Sequence, residues 1–275
     1  MSQIIDLSQT PVVIITGASS GIGEALAIQA AALNYRVVIA ARNTDQLKRV
    51  SQVCESMGAQ VLSVKVDVTK ESDCQELIQS SIQAFGRIDV LINNAGISMR
   101  AMFNDCDLTV IKQVMDVNFW GTVYCTKYAL PHLLKNKGTV VGVSSIAGIK
   151  GLPARTGYSA SKFAMHGFLE SLRIEHLKTG LNVLLACPGY TASNIRNAAL
   201  NQHGSSQSES PFDESKLMSA EAVATAIFKA IKRKKAYIYL SLQGKLTLWI
   251  NKFFPLFLDR LVYKTVAKEK DSPFK

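Results

Sequence analysis

Short runs of β-branched and other apolar residues alternate along the chain with longer stretches of helical periodicity. Six runs read as strands: Val12–Thr16, Arg36–Ala41, Val61–Val66, Asp89–Asn93, Thr139–Ser145 and Asn182–Ala186, with Tyr237–Leu240 as a seventh. They lack polar alternation, the mark of strands covered on both faces. Strand–helix–strand succession implies parallel pairing through right-handed crossovers. The pattern therefore predicts an α/β chain with one doubly wound domain over residues 1–240, a seven-stranded parallel sheet flanked by helices. Ser219 is placed to cap the helix that leads into the seventh strand.

Two segments break this rhythm. Residues 190–218 are rich in Ser, Asn, Gln and acidic residues and too long for an ordinary connection, so they read as a lid over a binding cleft. Residues 241–275 form an apolar and basic extension, with Leu246, Trp249, Phe253, Phe254 and Phe257 interrupted by Lys252, Pro255, Asp259 and Arg260. Such a tail is too broken to span a bilayer.

Composition changes this picture in one respect. Of a net charge of +10, residues 229–275 carry 12 Lys/Arg against 3 Asp/Glu, leaving 19 against 18 for residues 1–228. The body is nearly neutral, so a nucleic-acid partner is not expected; the basic charge belongs to the tail. Cys54, Cys74, Cys106, Cys125 and Cys187 are odd in number and never paired as Cys-x-x-Cys, and the four histidines are scattered. A reduced chain without a metal site follows. Residues 1–8 carry no basic n-region and no apolar stretch, which points to a cytoplasmic protein.

The first strand ends in Thr16-Gly17-Ala18-Ser19-Ser20-Gly21-Ile22-Gly23, and a helix begins at once. A strand, a glycine-rich turn and a helix N-terminus make a Rossmann-type dinucleotide cradle, because the free N–H groups and the helix dipole accept a pyrophosphate. The second strand ends in Ala41-Arg42 where an acid would bind the ribose of NAD; a guanidinium there suits a 2′-phosphate, which predicts NADP(H). Asp67-Val68 ends the third strand, where it could read the adenine, and Asn93-Asn94-Ala95-Gly96 ends the fourth, its small residues letting the backbone approach the cofactor. Tyr158 and Lys162 stand one helical turn apart, so an ammonium is within range to favour a phenolate.

Thr-Gly-x-x-x-Gly-x-Gly, Asn-Asn-Ala-Gly, a strand-five serine and Tyr-x-x-x-Lys occur in the order and at the intervals of one family. Over residues 10–240 the chain resembles the classical short-chain dehydrogenases/reductases. The resemblance implies a tetrad of Asn118, Ser145, Tyr158 and Lys162, with Ser145 favoured over Ser144 by its spacing to the tyrosine. It implies that Tyr158 protonates a carbonyl oxygen as the pro-S hydride leaves NADPH, that Ser145 polarises that oxygen, and that Lys162 holds the nicotinamide ribose and lowers the tyrosine's pKa. Asn118 would anchor a relay water through its backbone. Pro188, Gly189 and Thr191 would flank the nicotinamide, with Thr191 and Ser193 both open as the carboxamide contact.

Tyr190, Ile195, Leu200, Phe212, Leu217 and Met218 in the lid, with Met99 and Phe103, predict a mainly apolar cleft for a steroid-like or long-chain carbonyl substrate. The competing reading is a non-catalytic NADP(H) sensor on the same scaffold, but such proteins usually lose the tyrosine or lysine. Family habit implies a homodimer or homotetramer through the helices carrying Asn118 and Tyr158. For the tail two readings stay open: an amphipathic helix pair over residues 244–266 resting on anionic lipid beside Lys232-Arg233-Lys234-Lys235, or an apolar face packed on the cleft or a second subunit.

Overall fold

The structure, a computed structural model, describes residues 10–192, 195, 196, 198–207, 217–268, 272 and 274, with the backbone alone of Gln243. Ser193 and Phe212 lie outside the described residues. Seven parallel strands, β1 (Val12–Thr16), β2 (Arg36–Ala41), β3 (Val61–Lys65), β4 (Val90–Asn93), β5 (Thr139–Val143), β6 (Asn182–Cys187) and β7 (Tyr237–Tyr239), run in the order β3-β2-β1-β4-β5-β6-β7. The order reverses between β1 and β4, and a crevice opens at the carboxyl ends of the strands there.

β1 shows why the sheet is buried on both faces. Val13 and Ile15 pack into one core with α1 (Gly21–Ala32), α2 (Thr44–Ser56) and α7 (Ala220–Lys232). Val12 and Ile14 point the other way, into a core with α3 (Glu71–Phe85), α5 (Gly121–Lys135) and α6 (Thr156–Glu175). Ala25, Ala27, Ala30 and Ala31 let α1 lie close against its neighbours. Ser219 caps α7 as the sequence predicts, its side chain accepting from Ala222 N.

Strand five stops two residues earlier than its sequence suggests. Ser144 N makes a last ladder bond to Ala186 O at 2.7 Å. Ser145 then caps a short 3₁₀ turn, Ile146–Gly148, its hydroxyl accepting from Ala147 N at 3.1 Å. A hydroxyl that satisfies a nearby backbone N–H competes with the ladder and ends the strand.

Between α4 (Leu108–Met115) and α5 the chain makes one π-helical turn, Asp116–Trp120, with Asn118 at its centre. The tail forms α8 (Leu242–Phe253) and α9 (Pro255–Ala267), joined at Phe254. Both lean on the turn after Ser145. Lys150 Nζ donates to Asn251 Oδ1 at 3.0 Å and pairs with Asp259 at 2.6 Å, while Asn251 Nδ2 donates to Ile149 O. Among the described residues no helix is long and apolar enough to cross a membrane. Lys232–Lys235 precede β7 and α8 follows it, so the basic run lies at the opposite end of the strand from the tail helices, not beside them.

Candidate active site

A cleft of about 640 Å³ runs along the carboxyl ends of the strands, within the range typical of small-molecule sites. One end begins at the glycine-rich turn. Gly17 adopts φ +66°, and a Cβ there would stand 2.8 Å from Ala95 Cα; a Cβ on Gly23 would collide with Gly17 O. Ser20 is the N-cap of α1 yet makes no capping bond with its side chain, so its exposed hydroxyl and the first N–H groups of the helix face the cleft together. Ser19, Gly21 and Ile22 line the same stretch. These features fit a pyrophosphate, since free N–H donors and the positive end of the helix dipole at a glycine-rich turn accept an anion.

Thr16 and Asn94 hold the turn in place. Thr16 Oγ1 accepts from Asn94 N and Ala95 N, both at 3.1 Å, and Asn94 Nδ2 donates to Thr16 O and Gly17 O. Both residues stand in the sequence motifs, but the hydroxyl of Thr16 finds its partners only once β1 and β4 pair. Arg42 lines the cleft beyond β2, exposed, with Ala41 beside it. Asp67 and Val68 lie farther along; Asp67 Oδ1 accepts from Thr69 N and Thr69 Oγ1.

At the other end Ser145, Tyr158 and Lys162 come together, with Gly96, Pro188, Gly189 and Thr191 along the wall. Burial pushes the Tyr158 phenol above its ordinary value, opposed by the Ser145 hydroxyl beside it and by the charges of Arg155 and Arg196. Lys162 was expected to be the lowering charge. Its Nζ instead donates to Val143 O at 2.9 Å, 5.8 Å from the centre of the Tyr158 ring, and burial lowers its own pKa to about 8.

Asn118 is fully buried behind the wall. Its Oδ1 accepts from Ile97 N at 2.8 Å, and its Nδ2 donates to Ile97 O and to Ser161 Oγ. Gly96 sits between it and the lysine: a Cβ there would be 3.2 Å from Asn118 Oδ1 and 3.6 Å from Lys162 Nζ.

The expected apolar wall holds in part: Tyr190 and Ile195 line the cleft, joined by Leu152 and Ala198 and beside Arg155 and Arg196. Met99 and Leu200 are instead buried together with Val110 and Val114 beneath Tyr158, Met218 packs against the core of α1 and α7, and Phe103 is exposed. Backbone pairing draws the lid's ends down: Leu200 N donates to Ser98 O and Arg100 N to Leu200 O, which turns Leu200 and Met99 inward.

A doubly wound parallel sheet with a pyrophosphate cradle at one end of its crevice and a Ser/Tyr/Lys group at the other defines a nicotinamide-dependent oxidoreductase. A family model described as short chain dehydrogenase matches residues 11–204. The chain belongs to the short-chain dehydrogenase/reductase family, enzymes that act on CH–OH groups with a nicotinamide nucleotide. It is 35% identical over 268 residues to 11-beta-hydroxysteroid dehydrogenase 1A of Arabidopsis thaliana, covering 92% of this chain and 76% of that protein. It is also 35% identical over 259 residues to the uncharacterized oxidoreductase YxnA of Bacillus subtilis, covering 92% and 71%. Among solved structures, a Burkholderia phymatum short-chain dehydrogenase/reductase in complex with NAD superposes with TM-score 0.82 at 25% identity, covering 90% of this chain and 95% of that one. An alcohol dehydrogenase of Thermococcus sibiricus complexed with 5-hydroxy-NADP shares the fold at TM-score 0.73 and 22% identity, covering 84% and 95%.

Proposed function

We propose that the protein is an NADP(H)-dependent oxidoreductase that interconverts a ketone and a secondary alcohol on a mainly apolar, steroid-like or long-chain substrate. The observation that carries this reading is the grouping of Ser145, Tyr158 and Lys162 at the end of a cleft that starts from the glycine-rich turn. When bound, the nicotinamide supplies a hydride to the carbonyl carbon.

The chain's own residues handle the proton. Tyr158 gives its phenolic proton to the carbonyl oxygen in reduction and takes it back in oxidation, while the Ser145 hydroxyl donates to the same oxygen. Lys162 holds the ribose hydroxyls and keeps a cation near the phenol. Asn118 contributes its backbone to a water-linked proton path behind Gly96. Arg42 grips the 2′-phosphate of NADP(H), supported by the absence of an acid at Ala41. Thr191 Oγ1 donates to Gly189 O at 3.2 Å, and Thr191 or Ser193 meets the carboxamide. Leu152, Tyr190 and Ile195 favour an apolar substrate, and the relatives' names as hydroxysteroid dehydrogenases agree with it.

A membrane surface is the place where such a substrate is met. Leu242, Leu246, Leu256 and Phe257 are exposed, and Trp249 packs at a tilt against Phe253 and Phe254 at the α8–α9 corner, with ring centres 5.4 and 6.3 Å away. Exposed Lys245, Lys252, Arg260, Lys264 and Lys268 surround this apolar ridge, and Asp259, the one described acid on it, is paired with Lys150. An apolar ridge ringed by cations suits an anionic lipid surface. Exposed Trp120 and Phe163 mark a separate face for a second copy of the chain.

The test is oxidation of NADPH and NADH with a panel of apolar ketones. NADPH consumption that Tyr158→Phe abolishes is the expected result, and an equal rate in that variant overturns the reading. Co-sedimentation with phosphatidylserine vesicles but not with neutral ones is expected of the full chain; a Phe254→Asp, Leu256→Asp variant that still co-sediments overturns the membrane surface.

A further inference from the structure

Tyr158, Lys162, His166 and Glu170 follow one another at four-residue spacing on α6, so a phenol, an ammonium, an imidazole and a carboxylate share one face of the helix. The first two belong to the site already described. His166 does not, and yet its half-buried ring reaches the same turn from behind: Nε2 lies 2.8 Å from Ser144 Oγ and 3.7 Å from Cys187 Sγ. Ser144 is buried at the last rung of the β5–β6 ladder, immediately before Ser145.

The turn that follows is folded around this pair. Gly148, at the end of the 3₁₀ turn, passes so close that a Cβ would stand 2.7 Å from Ser144 Oγ and 2.8 Å from His166 Nε2. Ser145 therefore leaves the strand between two fixed points: the Ser144–His166 hydrogen bond before it and the Gly148 backbone packed on that bond after it.

We infer that His166 is a positioning residue for carbonyl reduction: its unprotonated Nε2 accepts the Ser144 hydroxyl proton and so sets the turn that aims Ser145 at Tyr158. The inference rests on the proposed oxidoreductase reading, because Ser145 matters only if Tyr158 is the proton donor. Ser144, which family spacing sets aside as the catalytic serine, thereby acquires a use of its own.

The arrangement carries a pH dependence with a definite sign. Protonated His166 has a donor at Nε2 and no acceptor, so the hydrogen bond reverses: Ser144 Oγ accepts, and the hydroxyl proton must swing to another partner. Burial lowers the imidazole below its ordinary value, Lys162 adds to that, and Glu170 opposes it; Cys187 of β6 faces the ring from the sheet. Behind Glu170 stand Tyr237 and Tyr239, while Arg173 holds the Tyr237 hydroxyl at 3.0 Å. A lowered imidazole stays neutral through neutral pH, so Ser144 donates to the ring there, and that arrangement reverses as pH falls.

The experiment compares His166→Gln, His166→Ala and Gly148→Ala with the parent enzyme, each checked for thermal midpoint and for NADPH affinity by fluorescence. Glutamine reaches a similar point with a carbonyl acceptor that does not titrate. Misplacing a reacting group by about 1 Å can cost about 100-fold; His166→Ala and Gly148→Ala should lose about 10-fold or more in kcat with NADPH affinity unchanged, and His166→Gln should recover most of it. The parent's kcat should fall on an acid limb that His166→Gln lacks and Glu170→Gln moves to lower pH. Wild-type kcat in His166→Ala, or an acid limb retained in His166→Gln, overturns the inference. Tyr158→Phe run alongside separates the two levels: activity in that variant removes the oxidoreductase reading itself, whereas its loss together with unaffected His166 variants removes only the positioning role.

Discussion

Lys162 Nζ donates to the carbonyl oxygen of Val143, so the ammonium of α6 is fastened to the last residue of β5 at 2.9 Å. Burial lowers its pKa from 10.5 to about 8, so the cation is complete below that value and is lost as pH rises through it. The kcat/KM for ketone reduction should therefore fall as pH rises above about 8. Lys162→Arg, which stays charged, should move that limb upward at a reduced rate. A pH–rate profile with the limb in place in the arginine variant would assign it to another group.

Asn118 has its whole amide engaged inside the protein, on Ile97 and Ser161. Asn118→Ala leaves these buried groups without partners, at a cost of about 2–5 kcal/mol. Urea denaturation should show the midpoint falling at constant m-value. A shift worth under about 1 kcal/mol would mean that water replaces the side chain and that the asparagine serves through its backbone alone.

Arg42→Ala should raise the KM for NADPH by about 10- to 100-fold, the worth of one or two charge-assisted hydrogen bonds, and leave that for NADH nearly unchanged. Ala41→Asp adds a carboxylate where a 2′-phosphate would sit and should reverse the preference. Steady-state kinetics with both nucleotides decides it; parallel losses for the two would remove Arg42 from the 2′-phosphate site.

The two ends of the chain should respond differently to truncation of a single side chain. Ile14→Ala opens a cavity in a fully buried strand and should cost about 2–5 kcal/mol. Lys150→Ala breaks an ion pair whose aspartate side chain is 54% exposed, worth under about 1 kcal/mol, and should leave the global midpoint in place. What it should change is the tail: limited proteolysis after α7 should quicken, as seen by mass of the released fragment, and an unchanged rate would show that Leu258 and Val266 hold the tail without it.

Much of this was legible in the residues. The central strands declare themselves because a strand buried on both faces is apolar along most of its length, as Val12–Thr16 is. The glycine-rich turn and the Tyr158/Lys162 pair are local in sequence, so spacing alone places them. Ser144–His166 and Asn118–Ser161 are not: each joins two elements more than twenty residues apart, and neither partner has a composition that marks it. The cleft wall was legible in part. Tyr190 and Ile195 line it as their sequence suggests, whereas backbone pairing between Met99 and Leu200 turns both of those into the core.

The π-helical turn at Asp116–Trp120 has a consequence for the phase of the helix that contains it. Val114 and Cys125 are eleven residues apart, about three full α-helical turns, so an unbroken helix would point both the same way. They go to different cores: Val114 joins Met99 and Leu200 beneath Tyr158, and Cys125 joins the sheet. The wider turn is a dial set between two readings of one helix, and removing a single residue from it would rotate everything before it by about 100°. Chain length within this turn, more than the identity of any one residue in it, decides which side chain meets Ile97.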